Sequence, residues 1–356
     1  MGKKILVINP GSTSTKIAMY EDEERLWDES IGHPLEELKK YKAILDQVDM
    51  RFALVSEAVI KHGYSFPDLD AVVSRGGPFA KVERGAYEVD EAMLEKMRTD
   101  PIDQHASLTG MEIAWKIAQK AGIKAYIYDA VTVDEMLPVC RIVGMKGMSR
   151  HGQGHNLNMH AAALKLCREQ GWSIEEKNIL VTHLGGGISV GLYADGRIID
   201  MISDDEGAFG PERAGDLPNF QLIGLCFEEG ITKEEVLRRF QRAGGLISLL
   251  GTTDTRKAER RIRDGDEYAK LVYEAMALSV AKNLAKLAPV VNGKIDAIVL
   301  TGGIAHSEYF TGMVKERIGF LAPVYILPGE NEMEALAFGG LRVLNREEKA
   351  KKFERY

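Results

Sequence analysis

Cysteine is scarce in this sequence, as are long apolar runs and any excess of basic residues. The cysteines among the 356 residues are Cys140, Cys167 and Cys226; their wide spacing excludes a zinc or redox pair and fits a reducing cytosol. The net charge of −7 argues against non-specific nucleic-acid binding, which requires a basic face. No run approaches the ~20 apolar residues of a membrane span, and no signal peptide is visible. We therefore expect a cytoplasmic protein that binds neither nucleic acid nor membranes.

Two pairs of similar segments indicate internal duplication. "LVINPGSTSTKIAMYED" (6–22) resembles "LVTHLGGGISVGLYADG" (180–196), and "LDAVVSRGG" (69–77) resembles "IDAIVLTGG" (295–303). Each has apolar strand residues beside a Gly-rich turn. One such similarity could arise by chance, but two in the same order predict a duplicated α/β domain. We expect each half to open on a β-hairpin whose turn faces a shared cleft.

Apolar residues at helical spacing fill the intervals between these segments. They predict helices over 91–98, 107–121, 157–170, 233–243, 267–288 and 333–345. The apolar, small-residue-rich body of 267–288 is typical of a helix buried in the core or at a subunit contact. The charged stretch 346–356 predicts a solvated helix end.

The turn after the first strand predicts phosphate binding. It lacks the Gly-Lys-Ser/Thr of the helix-capping phosphate loop, but Gly11 lets the backbone come close to a ligand and hydroxyl residues follow it. Residues two apart in a strand share a face, so Ser12, Ser14 and Lys16 are predicted to point together at a phosphate. Asn9, at the strand end, is well placed to hold a hydrated metal ion.

The corresponding turn of the second half, "HLGGGIS" (183–189), predicts a second phosphate contact. Gly185, Gly186 and Gly187 permit close approach of the backbone, and His183 adds a donor. Turn geometry alone explains glycine in either turn; their duplicated positions favour the phosphate interpretation. Two such turns facing one cleft suit a nucleotide triphosphate with its magnesium.

Longer motifs make a family recognisable. "NPGSTSTK" resembles the first phosphate motif of the superfamily of acetate and sugar kinases, heat-shock 70 and actin. "SRHGQGHN" (149–156), "HLGGGIS", "GPERAGDLP" (210–218) and "TGGIAHS" (301–307) resemble the butyrate kinase branch of the acetokinase family, and the resemblance runs from about residue 5 to 342. It implies reversible transfer of the γ-phosphoryl group of ATP to a short-chain fatty acid, which gives ADP and an acyl phosphate.

The resemblance also implies an architecture. The expected fold is α/β, with duplicated actin-like (ribonuclease H-like) domains and a central nucleotide cleft. The first domain would comprise 1–152 and 333–356, with a returning C-terminal helix, and the second 153–332. The family further implies a homo-oligomer, a dimer or larger.

Phosphoryl transfer requires positive charge around the transferred group, and two arginines are the first candidates. Arg213 lies in a rigid Gly- and Pro-containing loop, where a guanidinium suits a carboxylate or phosphoryl group; the alternative is a surface arginine. Arg75 ends a strand, and the resemblance assigns it to substrate anchoring. Acetate kinases carry extra residues between this arginine and the Gly pair, including an apolar one that narrows the acyl pocket. Their absence here favours a longer acid.

Three histidines have predicted or open roles. The resemblance implies that His151 hydrogen-bonds the phosphoryl group in the transition state, and that His105 lies near the substrate. His155, four residues after His151, raises a zinc alternative, which the glycines at 152 and 154 disfavour because they make a regular helix unlikely there. A purely structural role for His155 stays open.

The remaining predicted site residues are acidic residues and glycines. The resemblance implies that Asp129 orients an arginine or the carboxylate, or supports Mg²⁺, whereas a loop cap is the alternative. Glu332 matches the metal-linked glutamate of the family, with Glu334 close enough to be confused with it. Gly302 and Gly303 are predicted to lie against the adenosine.

Together these residues predict direct in-line transfer, with Arg75 and Arg213 holding substrate and phosphoryl group. His151 and Lys16 would disperse charge, and Mg²⁺ would be held through Asn9, Glu332 and water. Branched-chain acid (isobutyrate) kinase and acetate kinase are the nearest alternatives. An ATP-driven switch related to actin or heat-shock 70 is the alternative from another class, but a filament former would not need the arginine and histidine set.

Overall fold

The structure is a computed structural model, and it describes residues 2–329 and 331–354. Within these residues the strands are β1 (Lys4–Pro10), β2 (Ser14–Glu21), β3 (Glu24–Gly32), β4 (Ala71–Arg75), β5 (Ala86–Glu88), β6 (Lys124–Tyr128), β7 (Ile179–Leu184), β8 (Ile188–Ala194), β9 (Arg197–Ile202), β10 (Ala297–Gly302) and β11 (Val324–Pro328). The α-helices are α1 (Leu35–Leu38), α2 (Val48–Lys61), α3 (Glu91–Thr99), α4 (Leu108–Ala121), α5 (Pro138–Arg141), α6 (Asn156–Gln170), α7 (Asn219–Cys226), α8 (Lys233–Gln241), α9 (Leu246–Leu250), α10 (Thr255–Arg263), α11 (Glu267–Leu287), α12 (Glu308–Ile318) and α13 (Glu332–Leu344). Short 3-10 helices cover Ile44–Gln47, Phe66–Asp68, Ile174–Glu176, Ala288–Val291 and Gly303–His306.

The chain divides into two compact units. One comprises Met1–Asp134 with Asn331–Tyr356, and the other Glu135–Glu330. The boundary predicted from the sequence lies at residue 152 and would place the stretch after Asp134 in the first domain. Here that stretch is tied to the second sheet, because the backbone N–H of Leu137 donates to the carbonyl of Ile199 (2.8 Å).

The sheets of the two units share a five-stranded topology, to which the first sheet adds the antiparallel edge strand β5. The first sheet has the order β3-β2-β1-β4-β6-β5 and the second the order β9-β8-β7-β10-β11. In each, an antiparallel three-stranded meander is extended by parallel strands: β1 pairs with β2 antiparallel and with β4 parallel, as β7 does with β8 and β10. The duplicated α/β fold predicted from the sequence is confirmed.

The central strands explain why the sequence shows uninterrupted apolar runs instead of alternation. Residues 5–10 of β1 and every residue of β7 are buried, because helices cover both faces of a sheet built partly of parallel strands. In the first unit α4 and α13 both pack against β1 and β4. The carboxyl ends of these two strands are the places where candidate site residues lie.

Helix α11 forms much of the core of the second unit. Its long apolar body packs against β8 and α12, with Tyr273 and Met276 completely buried. The side chain of Asp266 caps the helix by accepting from the N–H of Ala269 (2.9 Å). The prediction of a buried helix over 267–288 is therefore confirmed, although Leu271 on its outer face is exposed.

Within residues 346–354 the prediction of a solvated helix end is wrong, and residues 355 and 356 lie outside the described residues. Helix α13 ends at Leu344, and the following chain pairs with strand β5 instead: the N–H of Lys351 donates to Ala86 O (2.9 Å), and the N–H of Glu88 donates to Lys351 O (3.0 Å). Backbone pairing with this short strand prevails over the helical preference of a charged sequence. Among the described residues, no helix combines the length and apolar character needed to cross a bilayer.

Candidate active site

Three predicted site residues meet at one edge of the first sheet. Asn9 lies near the carboxyl end of β1, Arg75 ends the neighbouring parallel strand β4, and Glu332 opens α13. The Nδ2 atom of Asn9 donates to Glu332 Oε2 (2.7 Å), and Arg75 Nη1 lies 3.0 Å from Glu332 Oε1. Parallel strands bring their carboxyl ends to the same edge, which explains how residues so distant in sequence come together.

The guanidinium of Arg75 has one N–H group without an acceptor among the described residues. Its Nε is buried and has no hydrogen-bond acceptor among residues 2–329 and 331–354, although its terminal nitrogen is paired with Glu332. A buried N–H without an acceptor is uncommon and costs free energy. The guanidinium can therefore accept an additional anionic partner.

Lys16 lies on the same face of the hairpin as Asn9. The two residues are directly opposed in the antiparallel pair of β1 and β2, and opposed residues share a face with their Cβ atoms about 5 Å apart. Burial alternates along β2 from Ser14 to Ile17: Thr15 is buried, and Lys16 is exposed. Ser14 and Lys16 thus share a face, as predicted, whereas Ser12 precedes the strand and lies in the turn.

The sequence interpretation missed a residue beneath this turn. Arg51 of α2 is completely buried, and its guanidinium donates to the carbonyl of Gly11 (3.0 Å) and to Thr15 Oγ1 (3.0 Å). The pattern of α2 contains the signal, because Arg51 occupies an apolar-stripe position between Val48 and Val55. A charged residue in such a stripe needs polar partners inside the protein.

His105 and Asp129 lie in the same unit. Desolvation of the ring, and then the charge of Arg75, lower the pKa of His105; its Nδ1 contacts Ser107 Oγ (2.7 Å). Asp129 follows the end of β6 in a left-handed conformation (φ 42°). Its buried Oδ1 accepts from the N–H of Gly85 (2.7 Å), so it caps a loop in this structure.

Neighbouring side chains of the second unit lie close against its Gly-rich turn. A Cβ at Gly187 would lie 2.3 Å from Asp204 Oδ2, and one at Gly185 would lie 2.6 Å from His183 Nε2, so a side chain at either position would displace one of these neighbours. His183 is buried, stacks on His155 at 3.9 Å between ring centroids and hydrogen-bonds Asn158 (2.8 Å). Its role as a phosphate donor stays a prediction.

Arg213 lies beside this turn among carboxylates that sequence reasoning missed. Its Nε is 3.2 Å from Asp204 Oδ2 and 3.6 Å from Asp205 Oδ1. Burial, and then the neighbouring charge of Asp204, raise the pKa of Asp205. The acidic run "SDDE" (203–206) is the sequence feature that indicates them. Arg213 therefore has to exchange partners if it is to bind a substrate anion.

The other predicted residues of the second unit differ in how accessible they are. His151 is exposed, with Nε2 3.2 Å from Ser149 Oγ. Gly302 has φ 93°, and an added Cβ would lie 2.5 Å from Leu184 O. The backbone geometry alone therefore accounts for glycine at this position. Gly303 is exposed with nothing within 4 Å of a Cβ, which leaves room for a ligand.

The donor set limits the kind of metal site the first unit can offer. Within the described residues there is no group of three or more His, Cys, Asp or Glu side chains placed to hold a metal ion. One carboxylate beside an amide fits Mg²⁺, which keeps much of its water and takes phosphate oxygens as ligands.

A family model matches most of the chain. The model described as acetate kinase, acetokinase family, matches residues 91–335, which include Arg75's partner Glu332, the Gly-rich turn and Arg213.

Solved structures share the fold over nearly the whole chain. An acetate kinase from Porphyromonas gingivalis is 19% identical, with 94% of this chain and 98% of that chain covered at a TM-score of 0.78. A propionate kinase from Francisella tularensis subsp. tularensis is 18% identical (95% and 98% covered, TM-score 0.76). An acetate kinase from Entamoeba histolytica is 17% identical (95% and 98% covered, TM-score 0.75). These likenesses extend to both units.

Proposed function

The chain belongs to the acetokinase family and is an ATP-dependent carboxylate kinase; we propose that its acceptor is butyrate and its product butyryl phosphate. The acetate and propionate kinases it resembles are named for shorter acids. The choice of a four-carbon acid therefore depends on this chain's own residues.

The observation that carries the proposal is the arrangement around Arg75. Its buried Nε lacks an acceptor in the described part of the chain, as expected of an arginine that receives a carboxylate. Gly76 and Gly77 follow it directly, and a Cβ on either would collide with Ala130 or with the backbone of Leu108 at 2.6–2.7 Å. No side chain can therefore project from these positions to narrow an acyl pocket.

The chemistry requires no general base. A carboxylic acid is ionised near neutral pH, and one of its oxygens attacks the γ-phosphorus while the bond from phosphorus to the bridging oxygen breaks and ADP leaves. In this proposal Arg75 orients the acid, Lys16 balances charge on the phosphates, and Arg213 and His151 bind the transferred group. Asp129 holds the loop beside the acid site.

Mg²⁺ would be held, largely through water, by Asn9 and Glu332, and when bound it would neutralise charge on the phosphates. The ion pair between Glu332 and Arg75 (3.0 Å) connects the proposed Mg²⁺ ligands, Asn9 and Glu332, to the guanidinium that would bind the acid. Asn9 holds the other carboxylate oxygen (2.7 Å) and so fixes its orientation.

A panel of straight and branched C2–C5 acids tests the proposal. Acyl phosphate is trapped with hydroxylamine, and kcat/KM is measured for each acid at saturating ATP and Mg²⁺. Two buried methylenes at ~0.8 kcal/mol each predict roughly tenfold preference for butyrate over acetate. A higher kcat/KM for acetate, propionate or isobutyrate would contradict butyrate as the acceptor. Loss of ATP at a rate independent of any acid would favour an ATP-driven switch.

A further inference from the structure

A completely buried guanidinium braces the turn between β1 and β2 from below. Arg51 Nε and Nη2 donate to Gln47 Oε1 (3.1 and 2.9 Å), and Nη1 donates to Thr15 Oγ1 (3.0 Å). The backbone carbonyls of Gly11 (3.0 Å), Ser12 (3.3 Å) and Ser14 (3.4 Å) also accept from it. One side chain thus ties helix α2 to three peptide groups of the turn.

These contacts fix the direction of the turn's N–H groups. In a trans peptide the C=O of one residue and the N–H of the next point to opposite sides, and the chain has no cis peptide among its described residues. Because the carbonyls of Gly11 and Ser12 point inward at Arg51, the N–H groups of Ser12 and Thr13 point outward. Neither N–H has an acceptor within the described protein, and both residues are exposed.

The charge of Arg51 is not neutralised locally. All of its hydrogen-bond partners are uncharged, and within residues 2–329 and 331–354 no carboxylate oxygen lies within 4.0 Å of it. Burial lowers the pKa of Arg51 to about 10, so it remains protonated at neutral pH. The neighbouring His33 has its pKa lowered to about 4 by burial and by Arg51, and therefore adds no second charge.

An unpaired buried charge is costly to a fold. If Arg51 only held the turn in place, a carboxylate partner would lower the free-energy cost of burying its charge. The residue that accepts from it at position 47 is Gln rather than Glu, so this counter-charge is not supplied there. An anion bound on the outer side of the turn would recover part of this cost, because the positive charge lies directly behind the outward N–H groups.

We propose that Arg51 is a positioning residue for phosphate: it presents the Ser12 and Thr13 amides to a nucleotide phosphate and supplies an unneutralised positive charge behind them. This inference rests on the proposed use of ATP but not on the identity of the acceptor acid. It predicts that nucleotide affinity depends on two buried residues that do not themselves contact the nucleotide.

Gln47→Glu tests the charge. The substitution keeps the oxygen that accepts from both Arg51 nitrogens and adds a buried counter-charge, so the melting temperature should be unchanged or higher. Affinity for ATP, measured by titration calorimetry, should fall about tenfold, the order expected for one charge at short range in protein. Affinity for adenosine and the KM of the acid should change less than twofold. Gln119→Glu, an exposed position of the same unit, makes the same charge change and should leave all these values unaltered.

Arg51→Lys tests the geometry. Lysine keeps the charge but cannot bond Gln47, Thr15 and three carbonyls together, so ATP affinity should again fall about tenfold while adenosine affinity is retained. Wild-type ATP affinity in folded Gln47→Glu would overturn the electrostatic role, and the same result in folded Arg51→Lys would overturn the positioning role. An equal loss for ATP and adenosine would reduce Arg51 to a structural brace. Because these are binding measurements, they stand apart from a failure to detect acyl phosphate.

Discussion

Replacing Arg75 by methionine tests the acid site most directly. The variant removes a largely buried guanidinium whose Nη1 pairs with Glu332 at 3.0 Å and whose Nε has no acceptor in the described chain. A charged hydrogen bond contributes about 1.5–3 kcal/mol, so two of them to the acid carboxylate amount to about 3–6 kcal/mol. We therefore expect kcat/KM for butyrate to fall by about 10²- to 10⁴-fold, with the KM of ATP changed less than threefold.

The same substitution has a predictable effect on stability. Glu332 keeps its contact with Asn9 (2.7 Å) but loses its cationic partner, at a cost of about 1–3 kcal/mol, which lowers the melting temperature by a few degrees in a chain of this size. Arg98→Met is the matched control, since Arg98 pairs with Glu91 and Glu112 at 2.9 Å in the same unit. A folded Arg75→Met enzyme with kcat/KM within threefold of wild type would refute the assignment, as would an equal loss of activity in Arg98→Met.

Two further predictions concern stability. The pKa of buried His33 is lowered to about 4, by burial and by Arg51, so between about pH 6.5 and about pH 4 the unfolded chain binds a proton that the folded chain does not; unfolding free energy should therefore fall as pH falls through this window, and His33→Asn should show a shallower fall in urea titrations. An equal slope in both proteins would contradict this. Gly302→Ala should lower the free energy of unfolding by about 2 kcal/mol or more, because φ is 93° and the added Cβ would lie 2.5 Å from the backbone oxygen of Leu184. Gly312→Ala is the comparison: this glycine lies inside α12 with nothing within 4 Å of an added Cβ, so the substitution should raise the free energy of unfolding by about 0.5–1 kcal/mol. Thermal melts compare the two, and equal effects would rule out backbone strain at Gly302.

The sequence predicts the strands and their order in the two sheets well, because these depend on local apolar patterns. Apolar runs that end in glycine mark β1, β7 and β10, and the duplicated order of these runs corresponds to the duplicated sheet order. Strand ends are visible in the same way, so Asn9 and Arg75 could be predicted as site residues. Their contact with Glu332 depends on the return of α13 to the first unit, which spacing alone does not determine.

The sequence predicts the electrostatics of the site less well, because charge balance depends on packing between distant segments. In the sequence, Arg51 is one polar residue of the segment that forms α2, and its complete burial beneath the turn is known only from the structure. Arg213 is visible as an isolated cation in a rigid loop, yet Asp204 lies 3.2 Å from it. Similarly, His183 reads as a donor at a turn but is buried in a stack with His155.

The two hairpins show how one topology supports different chemistry. Asn9 opposes Lys16 across the first hairpin, and His183 opposes Ser189 at the corresponding place in the second. The first turn thus has Lys16 on its exposed face and, beneath it, the buried guanidinium of Arg51, which has no carboxylate partner among the described residues; this arrangement favours an anion. The second turn is packed by Asp204, which also neutralises Arg213. Because the backbone frame is the same, the difference arises from side chains reaching the turn from other elements, α2 in the first unit and the loop after β9 in the second. Substitutions such as Gln47→Glu, which change charge while keeping the frame, are therefore the sharpest test of how this fold binds phosphate.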